Sequence, residues 1–244
     1  MASTKTAIEE LQAAVAAAFE KIRDALMPAP GAKRLTFGWF TSLPGLYESA
    51  CRGVGGTPRT ETVGNLLDLA SDYVDALQSR TEAELKAVVI AADTGNRHDV
   101  QGPETDRVKD VLDKAAADLQ RIADTESQRA RQMGAVDGIA EVAASVGDED
   151  PTVYFVVVRD DKLCDECKRL HLLEDGRTPR CWLLHEISAD YHKKGGDVPT
   201  LYGLHPHCRC SITYLTRGYG FNSAGYVRWI GADHDEIKSQ RGQE

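Results

Sequence analysis

The chain has 244 residues, of which 42% are hydrophobic and 27% charged, and it carries a net charge of −9 at pH 7. This is the composition of an ordinary globular protein with at least one sizeable core. No apolar run reaches the roughly 18 to 20 residues that span a bilayer, and the first residues lack the pattern of a secretory signal. We therefore expect a soluble protein made in a reducing cytoplasm, without a membrane partner.

The negative charge is concentrated in the first part of the chain. Residues 1–150 hold 16 Lys and Arg against 25 Asp and Glu, whereas residues 151–244 hold 13 of each. Nucleic acids are bound mainly by neutralising their phosphates with Lys and Arg, so the composition disfavours general nucleic-acid binding. A local basic patch in the second part stays open, formed by Lys168, Arg169, Arg177, Arg180, Lys193, Lys194 and Arg209.

Residues 1–30 are predicted to form an amphipathic helix that ends at Pro28 and Pro30. Its apolar residues recur at steps of three and four: Ile8, Leu11, Val15, Phe19, Ile22 and Leu26. An isolated amphipathic helix is marginal unless its apolar face is buried. That face is therefore expected to pack within the protein or to dock on a partner.

Residues 31–150 are predicted to be a helical region, although residues 28–60 are rich in Gly and Pro and favour loops or short pieces. The apolar periodicity predicts three further helices. They run from Thr60 to about Gln78, around residues 85–90, and from about 104 to 147, where Gly134 and Gly138 are possible interruptions.

The pattern changes at Asp148–Pro151, and residues 151–217 are predicted to form a small α/β domain. Its predicted elements are a strand at Val153–Val158, a loop with two cysteines, a helix at Trp182–Lys193 and a strand at Cys210–Leu215. Residues 218–244 are taken as a C-terminal tail. The predicted fold class is α+β, with a mostly helical N-terminal region and a small C-terminal domain stabilised by a Cys/His cluster.

Five of the six cysteines lie between Cys164 and Cys210. In a reducing compartment, clustered thiols more often bind metal or do redox chemistry than form disulfides. Cys164 and Cys167 form a C-x-x-C pair, a natural half-site for zinc. His205 and Cys208 have the same spacing, and they are expected to approach the same ion.

Cys210 is the fifth candidate ligand. In an extended strand, residues two apart lie roughly 6.5 Å from each other, whereas two ligands of one tetrahedral zinc lie about 3.7 Å apart. Unless the backbone turns here, only one of Cys208 and Cys210 binds the ion. The preferred set is Cys164, Cys167, His205 and Cys208, with Cys210 and then His207 as substitutes.

Two other interpretations of the cluster stay open, a disulfide or metal-free set of thiols and a redox site. The redox interpretation is the weakest, because redox C-x-x-C motifs open a helix in a thioredoxin-like unit and Asp165 and Glu166 disfavour a thiolate. Cys51 and Cys181 are predicted to be packed as small apolar residues. No nucleotide-binding loop, serine nucleophile motif or metalloprotease helix is found, so no small-molecule substrate is expected.

Three segments together resemble the phage Mu protein F-like family of minor head proteins. They are Ile122-Ala123-Asp124-Thr125-Glu126, then Cys164-Asp165-Glu166-Cys167, and finally His205-Pro206-His207-Cys208-Arg209-Cys210. The likeness covers about residues 105–215, and the last segment is its most specific element. Asp124 departs from the pattern, because the family usually has arginine there.

The resemblance implies a bacteriophage minor capsid protein without enzymatic activity. Such proteins associate with the portal and act in head assembly, DNA packaging or ejection. The implied partners are the portal and major capsid proteins, and the implied locations are the virion head and, during assembly, the host cytoplasm. A DNA-binding head protein that contacts the packaged genome is the alternative. A metal-dependent hydrolase is a third hypothesis, disfavoured because a catalytic zinc keeps an open coordination position.

Overall fold

The structure, a computed structural model, describes residues 39–93, 104–190, 193–201, 203–205 and 207–231. The helix predicted for residues 1–30 lies outside these ranges, as do Pro206 and residues 232–244 of the predicted tail. Within them, no helix is long and apolar enough to cross a membrane.

Three helices make up the first part of the described chain: α1 at Trp39–Gly53, α2 at Thr60–Asp93 and α3 at Glu104–Ser145. The long third helix was predicted, and its existence is confirmed. The loop predicted for residues 28–60 is wrong where α1 forms, with Pro44 inside the helix. The two helices predicted between Thr60 and residue 90 are one continuous helix, because no Gly or Pro interrupts residues 65–93.

The second part contains short strands. The central strand β1, Thr152–Val156, lies between β2, Cys181–Leu183, and β3, Ser211–Tyr214, and both pairings are antiparallel. The short helix α4, Asp165–His171, follows β1. A separate two-stranded hairpin joins β4, Tyr219–Phe221, to β5, Val227–Trp229.

The α+β class is therefore confirmed, and so are the strands predicted near Val153 and after Cys210. The helix predicted for Trp182–Lys193 is wrong over its described residues, 182–190 and 193. Cys181–Leu183 is a strand, and only Leu184–Glu186 form a single 3₁₀ turn. Thr152 and Val153 of β1 pair with Leu183 and Trp182. This pairing places in the sheet two residues that had been predicted to be helical.

Backbone contacts group the chain into two compact units. Among the described residues, one unit joins residues 39–42 to 65–93 and 104–123, and the other joins Leu43–Gly64 to the described residues from Asp124 onward. The unit with the Cys/His residues thus also contains the last turns of α3, which the change in composition at residue 151 did not predict. It includes the β4–β5 hairpin as well, in the segment predicted to be a tail.

In the first unit, α2 and α3 bury a row of Leu and Ala side chains: Leu66, Ala70, Leu77, Leu85, Ala115 and Ala123. Exposed ion pairs join the same helices, from Arg80 to Asp118 at 2.6 Å and from Lys114 to Glu84 at 3.1 Å. Regular periodicity and local charge pairing account for this unit.

In the second unit, α1 packs closely on α3 at two glycines. A Cβ atom added to Gly134 would lie 2.1 Å from the carbonyl oxygen of Tyr47, and one added to Gly138 would lie 2.7 Å from that of Cys51. These distances leave room only for hydrogen. The two glycines, predicted as possible interruptions, therefore do not break the helix and instead allow the close approach. Cys51 is buried in this contact, as predicted.

The core beneath the Cys/His residues is shared by the sheet, α4 and α3. Val153 and Phe155 of β1 pack with Leu170 of α4, Ile139 of α3 and Ile212 of β3, and all five are buried. Cys167, Cys208 and Cys210 belong to the same cluster. The candidate site is therefore continuous with the core of this unit.

Candidate metal centre

The first cysteine pair opens a helix. Cys164 is the N-cap of α4, and its Sγ accepts a hydrogen bond from the backbone N–H of Cys167 at 3.3 Å. The prediction of a loop here is wrong from Asp165 onward. Redox C-x-x-C pairs also open a helix, so the position of this pair does not count against a redox site. The all-antiparallel sheet still differs from the thioredoxin-like βαβ unit.

The segment that carries His205, Cys208 and Cys210 is turned rather than extended. The backbone N–H of Cys208 donates to the carbonyl of His205 at 3.1 Å, and His207 has a φ of 61°, in the left-handed region. Strand β3 begins only at Ser211. The backbone therefore turns where the sequence required it to turn, and Cys208 and Cys210 are both able to face one centre.

The five predicted ligand residues come together in two overlapping groups. The donor atoms of Cys164, Cys167 and His205 lie within 4.8 Å of one another, and so do those of Cys167, Cys208 and Cys210. Cys167 belongs to both groups. Its Sγ lies 3.4 Å from His205 Nε2 and 3.9 Å from Cys208 Sγ, close to the roughly 3.7 Å between ligands of one tetrahedral zinc. These residues are thus close enough to hold a metal ion.

The two groups differ in their access to solvent. Cys167, Cys208 and Cys210 are buried, whereas Cys164 and His205 are partly exposed. A shallow cavity opens on Cys164, Cys167, His205 and Cys210, with Arg209 also on its wall. Cys208 is not among its lining residues. An ion therefore has an entry path from the side of Cys164 and His205, while Cys208 closes the site from within.

The three buried thiols share their protons unequally. Hydrogen bonds from Cys167 and Cys210, helped by backbone N–H groups of Leu204 and Cys210, hold the pKa of Cys208 well below its usual value. Hydrogen bonding to Cys208 and Cys210, together with burial, raises the pKa of Cys167. The hydrogen bond to Cys167 lowers the pKa of Cys210, but hydrogen bonding to Cys208 and burial act against it, and together with the nearby thiols they raise this pKa to about 12. Ionisation of these three thiols is thus linked through their mutual hydrogen bonds.

Two buried glutamines of α3 hold the backbone after Cys208. Gln128 Nε2 and Gln132 Nε2 both donate to the carbonyl of Cys210, at 2.5 and 2.7 Å. Gln132 Oε1 accepts the N–H of Ile212 at 2.7 Å. The side chain of Gln132 therefore joins both backbone groups on either side of Ser211, and it fixes the start of β3 beside the thiols. We call these two residues the glutamine clamp.

Contacts with two aspartates also hold the segment that carries His205, Cys208 and Cys210. Both Arg209 terminal nitrogens donate to Asp160, each at 2.7 Å. This hydrogen bonding lowers the pKa of Asp160 to about 2. His207 Nδ1 lies 2.6 Å from Asp124 Oδ2. The helix α3 therefore contacts the residue that directly precedes Cys208.

The glutamine clamp and the Asp124 contact were missed at the level of sequence. Gln128 and Gln132 are four residues apart on the face of α3 that also carries Ala135 and Ile139, and a polar residue on an apolar face was the available signal. Nothing in the sequence indicates which backbone groups the two amides would meet, since Cys210 is 78 residues from Gln132.

The remaining cysteine and histidine of interest are part of the core. Cys181 packs with Leu215 and Phe221, as predicted for a small apolar residue. His171 is buried and stacks on Phe155 with ring centroids 4.2 Å apart. Neither belongs to the groups of potential ligands found in the described part of the chain.

Comparison of the chain with family models, with curated proteins and with solved structures finds no match. The resemblance to phage minor head proteins therefore stays a prediction that rests on its three sequence segments.

Proposed function

We propose that the site holds one structural zinc ion, bound by Cys167 with three of the residues Cys164, His205, Cys208 and Cys210. The supporting observation is the position of Cys167 in both groups, because its sulfur lies within 4.8 Å of the donor atom of each of the four others. Thiolate and imidazole ligands in a roughly tetrahedral set favour zinc. Zinc binding also supplies folding free energy to a region of short elements.

A structural role is supported by the number and surroundings of the ligands. Each group supplies three donors, and the two groups together offer five candidates for the four positions of a tetrahedral zinc; we propose that a fourth protein ligand from the other group closes the coordination sphere. The acid/base candidate nearest to the first pair, Glu166, accepts hydrogen bonds from Arg169 at 2.9 Å and from the Gly195 N–H at 3.0 Å. This carboxylate is engaged in holding a loop. We therefore propose no enzymatic activity.

The experiment is metal analysis of the purified chain by native mass spectrometry, with single Cys→Ser variants. We expect one zinc per chain and its loss in Cys167→Ser. Cys181→Ser is the matched control, because Cys181 is equally buried but packs with Leu215 and Phe221. A wild-type chain without stoichiometric zinc, whose melting is also unchanged by a chelator, would contradict the proposal.

On the resemblance, we further propose that the protein is a phage Mu protein F-like minor head protein that contacts the portal and acts in head assembly, DNA packaging or ejection. What supports this proposal is that position 124 of the helix segment lies beside His207 of the most specific segment, although the contact is made by an aspartate where the family usually has arginine. Glu126, in the same helix segment, is buried and forms an ion pair with Arg129 at 3.2 Å. From Asp124 onward, the residues that carry the likeness thus lie in one unit.

The sharpest test of the phage role is the order of neighbouring reading frames. We expect a portal gene immediately upstream and a scaffold or major capsid gene downstream. The biochemical counterpart is co-purification with the portal protein encoded beside it. A chromosomal position among metabolic genes, without portal or capsid genes nearby, would contradict this role and leave the zinc proposal intact.

The alternative of DNA binding through basic residues around the cluster is disfavoured by their ion pairs. Lys168 pairs with Asp165 and Arg209 with Asp160. Arg169 pairs with Glu166 at 2.9 Å and lies 3.6 Å from Asp197. Positive charge that is already neutralised in this way contributes little to phosphate binding.

A further inference from the structure

The β4–β5 hairpin exposes an unusual amount of aromatic surface. Trp229 is 61% exposed, Tyr226 72% and Tyr219 38%. Val227, also on β5, is 49% exposed. Large apolar side chains exposed together in this way often mark an interaction site.

Trp229 is held in place although it is exposed. It lies opposite Tyr219 in the register of the hairpin, and the two rings meet edge to face with centroids 5.2 Å apart. A Cβ atom added to Gly218 would lie 2.4 Å from an atom of the indole ring. The indole therefore rests against backbone that only glycine leaves open, and its orientation is fixed before any ligand arrives.

The hairpin itself is anchored to the rest of its unit. Phe221 of β4 is buried with Cys181 and Leu215, and its ring meets Tyr154 of β1 edge to face at 4.9 Å. The exposed aromatic residues are thus carried on a rigid support and not on a free tail.

The charge of this segment is opposite to that of the chain. Residues 216–231 contain two arginines, Arg217 and Arg228, and no Asp or Glu, whereas the chain as a whole has a net charge of −9 and residues 232–236 contain three acidic residues. Both arginines are exposed. At the turn of the hairpin, a Cβ atom added to Gly225 would lie 3.0 Å from the carbonyl oxygen of Arg177, a third exposed arginine. Arg159 donates to the same carbonyl oxygen.

We propose that the β4–β5 hairpin binds single-stranded nucleic acid. Unpaired bases stack on the preset ring of Trp229. Arg228 alternates with Trp229 along β5 and faces the other side of the hairpin, so a bound strand that also contacts Arg228 or Tyr226 passes around the edge of the hairpin, where the arginines neutralise its phosphates. Proteins that bind single strands without sequence preference combine these two features, aromatic stacking platforms and positive charge along the backbone. A double helix offers no free base faces to the indole, so single strands are the favoured form. This proposal does not depend on zinc or on the phage role.

The test is binding of the full chain to a fluorescent oligo(dT) of about 15 nucleotides, a length within the range of known single-strand sites. We expect saturable binding that weakens as salt is raised. Trp229→Leu is expected to reduce affinity roughly tenfold or more, since stacking of one base contributes about 1–3 kcal/mol. Arg228→Gln is expected to lower the salt slope by about 0.7, as for one phosphate contact on a single strand.

Two further variants keep the result interpretable. Tyr226→Ser removes the most exposed ring of the hairpin and is expected to weaken binding without changing the melting temperature. Arg52→Gln, at an exposed arginine of α1 that pairs with Glu48, is the control and should leave affinity and salt slope unchanged.

Several outcomes would overturn the proposal. They are absence of saturable binding, equal affinity for a duplex of the same length, and unchanged affinity in both Trp229→Leu and Tyr226→Ser. Concentration-dependent self-association that Trp229→Leu abolishes, without oligonucleotide binding, would identify the hairpin as a protein contact and would also overturn it.

Discussion

The helical unit around residues 65–93 and 104–123 and the Cys/His region of residues 151–231 are built in different ways. In the helical unit, two long helices bury Leu and Ala at regular spacing, and exposed ion pairs such as Arg80–Asp118 join them. Among the described residues of the Cys/His region, no strand exceeds five residues and the helix α4 has seven. Elements this short are unstable alone.

The two regions obtain their stability from different sources. Long helices accumulate many small local contributions, so that loss of one contact costs little. The Cys/His region depends on a few buried polar and sulfur groups that meet across large sequence separations, such as Gln132 with Cys210. We therefore expect single changes in the Cys/His region to have larger effects than single changes in the helical unit.

Removal of metal is expected to have the largest effect of all, and to destabilise the Cys/His region but not the helical unit. With a chelator present, we expect the free energy of opening of the β1 and β3 amides to fall by more than about 3 kcal/mol, because structural zinc contributes strongly to folding. Amides of α2 between residues 65 and 93 should keep their protection. Hydrogen exchange measured by mass spectrometry resolves the two regions, and equal loss in both would contradict the expected independence.

A second large effect is expected at the contact between α1 and α3. Gly134→Ala would place a methyl group 2.1 Å from the carbonyl oxygen of Tyr47, and backbone cannot move aside as a side chain can. We expect a loss of about 3 kcal/mol in the free energy of unfolding, at the upper end for overpacking. Chemical denaturation measures it.

The matched control is Gly64→Ala, another glycine within a helix. No atom lies within 4 Å of a Cβ added at Gly64, so this variant should gain about 1 kcal/mol from helix propensity. If both substitutions shift stability in the same direction, the proposed close approach at Gly134 is not the cause.

These two glycines also show what the sequence could and could not predict. The apolar period of residues 104–145 predicted α3 correctly, because helix period is a local property. Whether Gly134 interrupts the helix or admits a neighbour depends on Tyr47, which is distant in sequence and belongs to a helix that the Gly/Pro content of residues 28–60 concealed.

The candidate site was predicted more completely than its surroundings. Cysteine spacing gave all five residues that the structure brings together, because few other arrangements account for paired C-x-x-C and H-x-x-C segments. The turn at His207, which lets Cys208 and Cys210 face one centre, was stated only as a condition. The glutamine clamp was missed, since backbone partners leave no trace in the sequence.

The glutamine clamp offers a prediction of intermediate size. Gln132→Leu removes one donor to the Cys210 carbonyl and leaves the buried Ile212 N–H without its acceptor. We expect a loss of about 1–3 kcal/mol in unfolding free energy, the cost of a buried unsatisfied group. Zinc affinity should fall by about 10- to 100-fold, as for other residues that orient metal ligands.

A control on the same helix separates this effect from a general loss of polarity. Gln120→Leu makes the same change at an exposed position of α3 and should leave zinc affinity unchanged in a competition titration with a chromophoric chelator. A fall in unfolding free energy without any change in zinc affinity in Gln132→Leu would mean that the clamp supports the fold alone.

The smallest effect is expected at the Asp160–Arg209 pair, and it depends on pH. Hydrogen bonds from Arg209 lower the pKa of Asp160 to about 2 in the folded state, below the ordinary carboxyl value of about 3.9. A lowered folded pKa means that the pair stabilises the protein above about pH 4 and that this contribution is lost as the pH falls toward 2. The stability difference between wild type and Asp160→Asn should therefore be greatest near neutral pH and shrink across that window. The control is Asp161→Asn, which removes the same charge without these hydrogen bonds. Thermal melting at stepped pH should show the shrinking difference for Asp160→Asn alone. A difference in stability that does not depend on pH would mean that the Arg209 hydrogen bonds do not set the ionisation of Asp160.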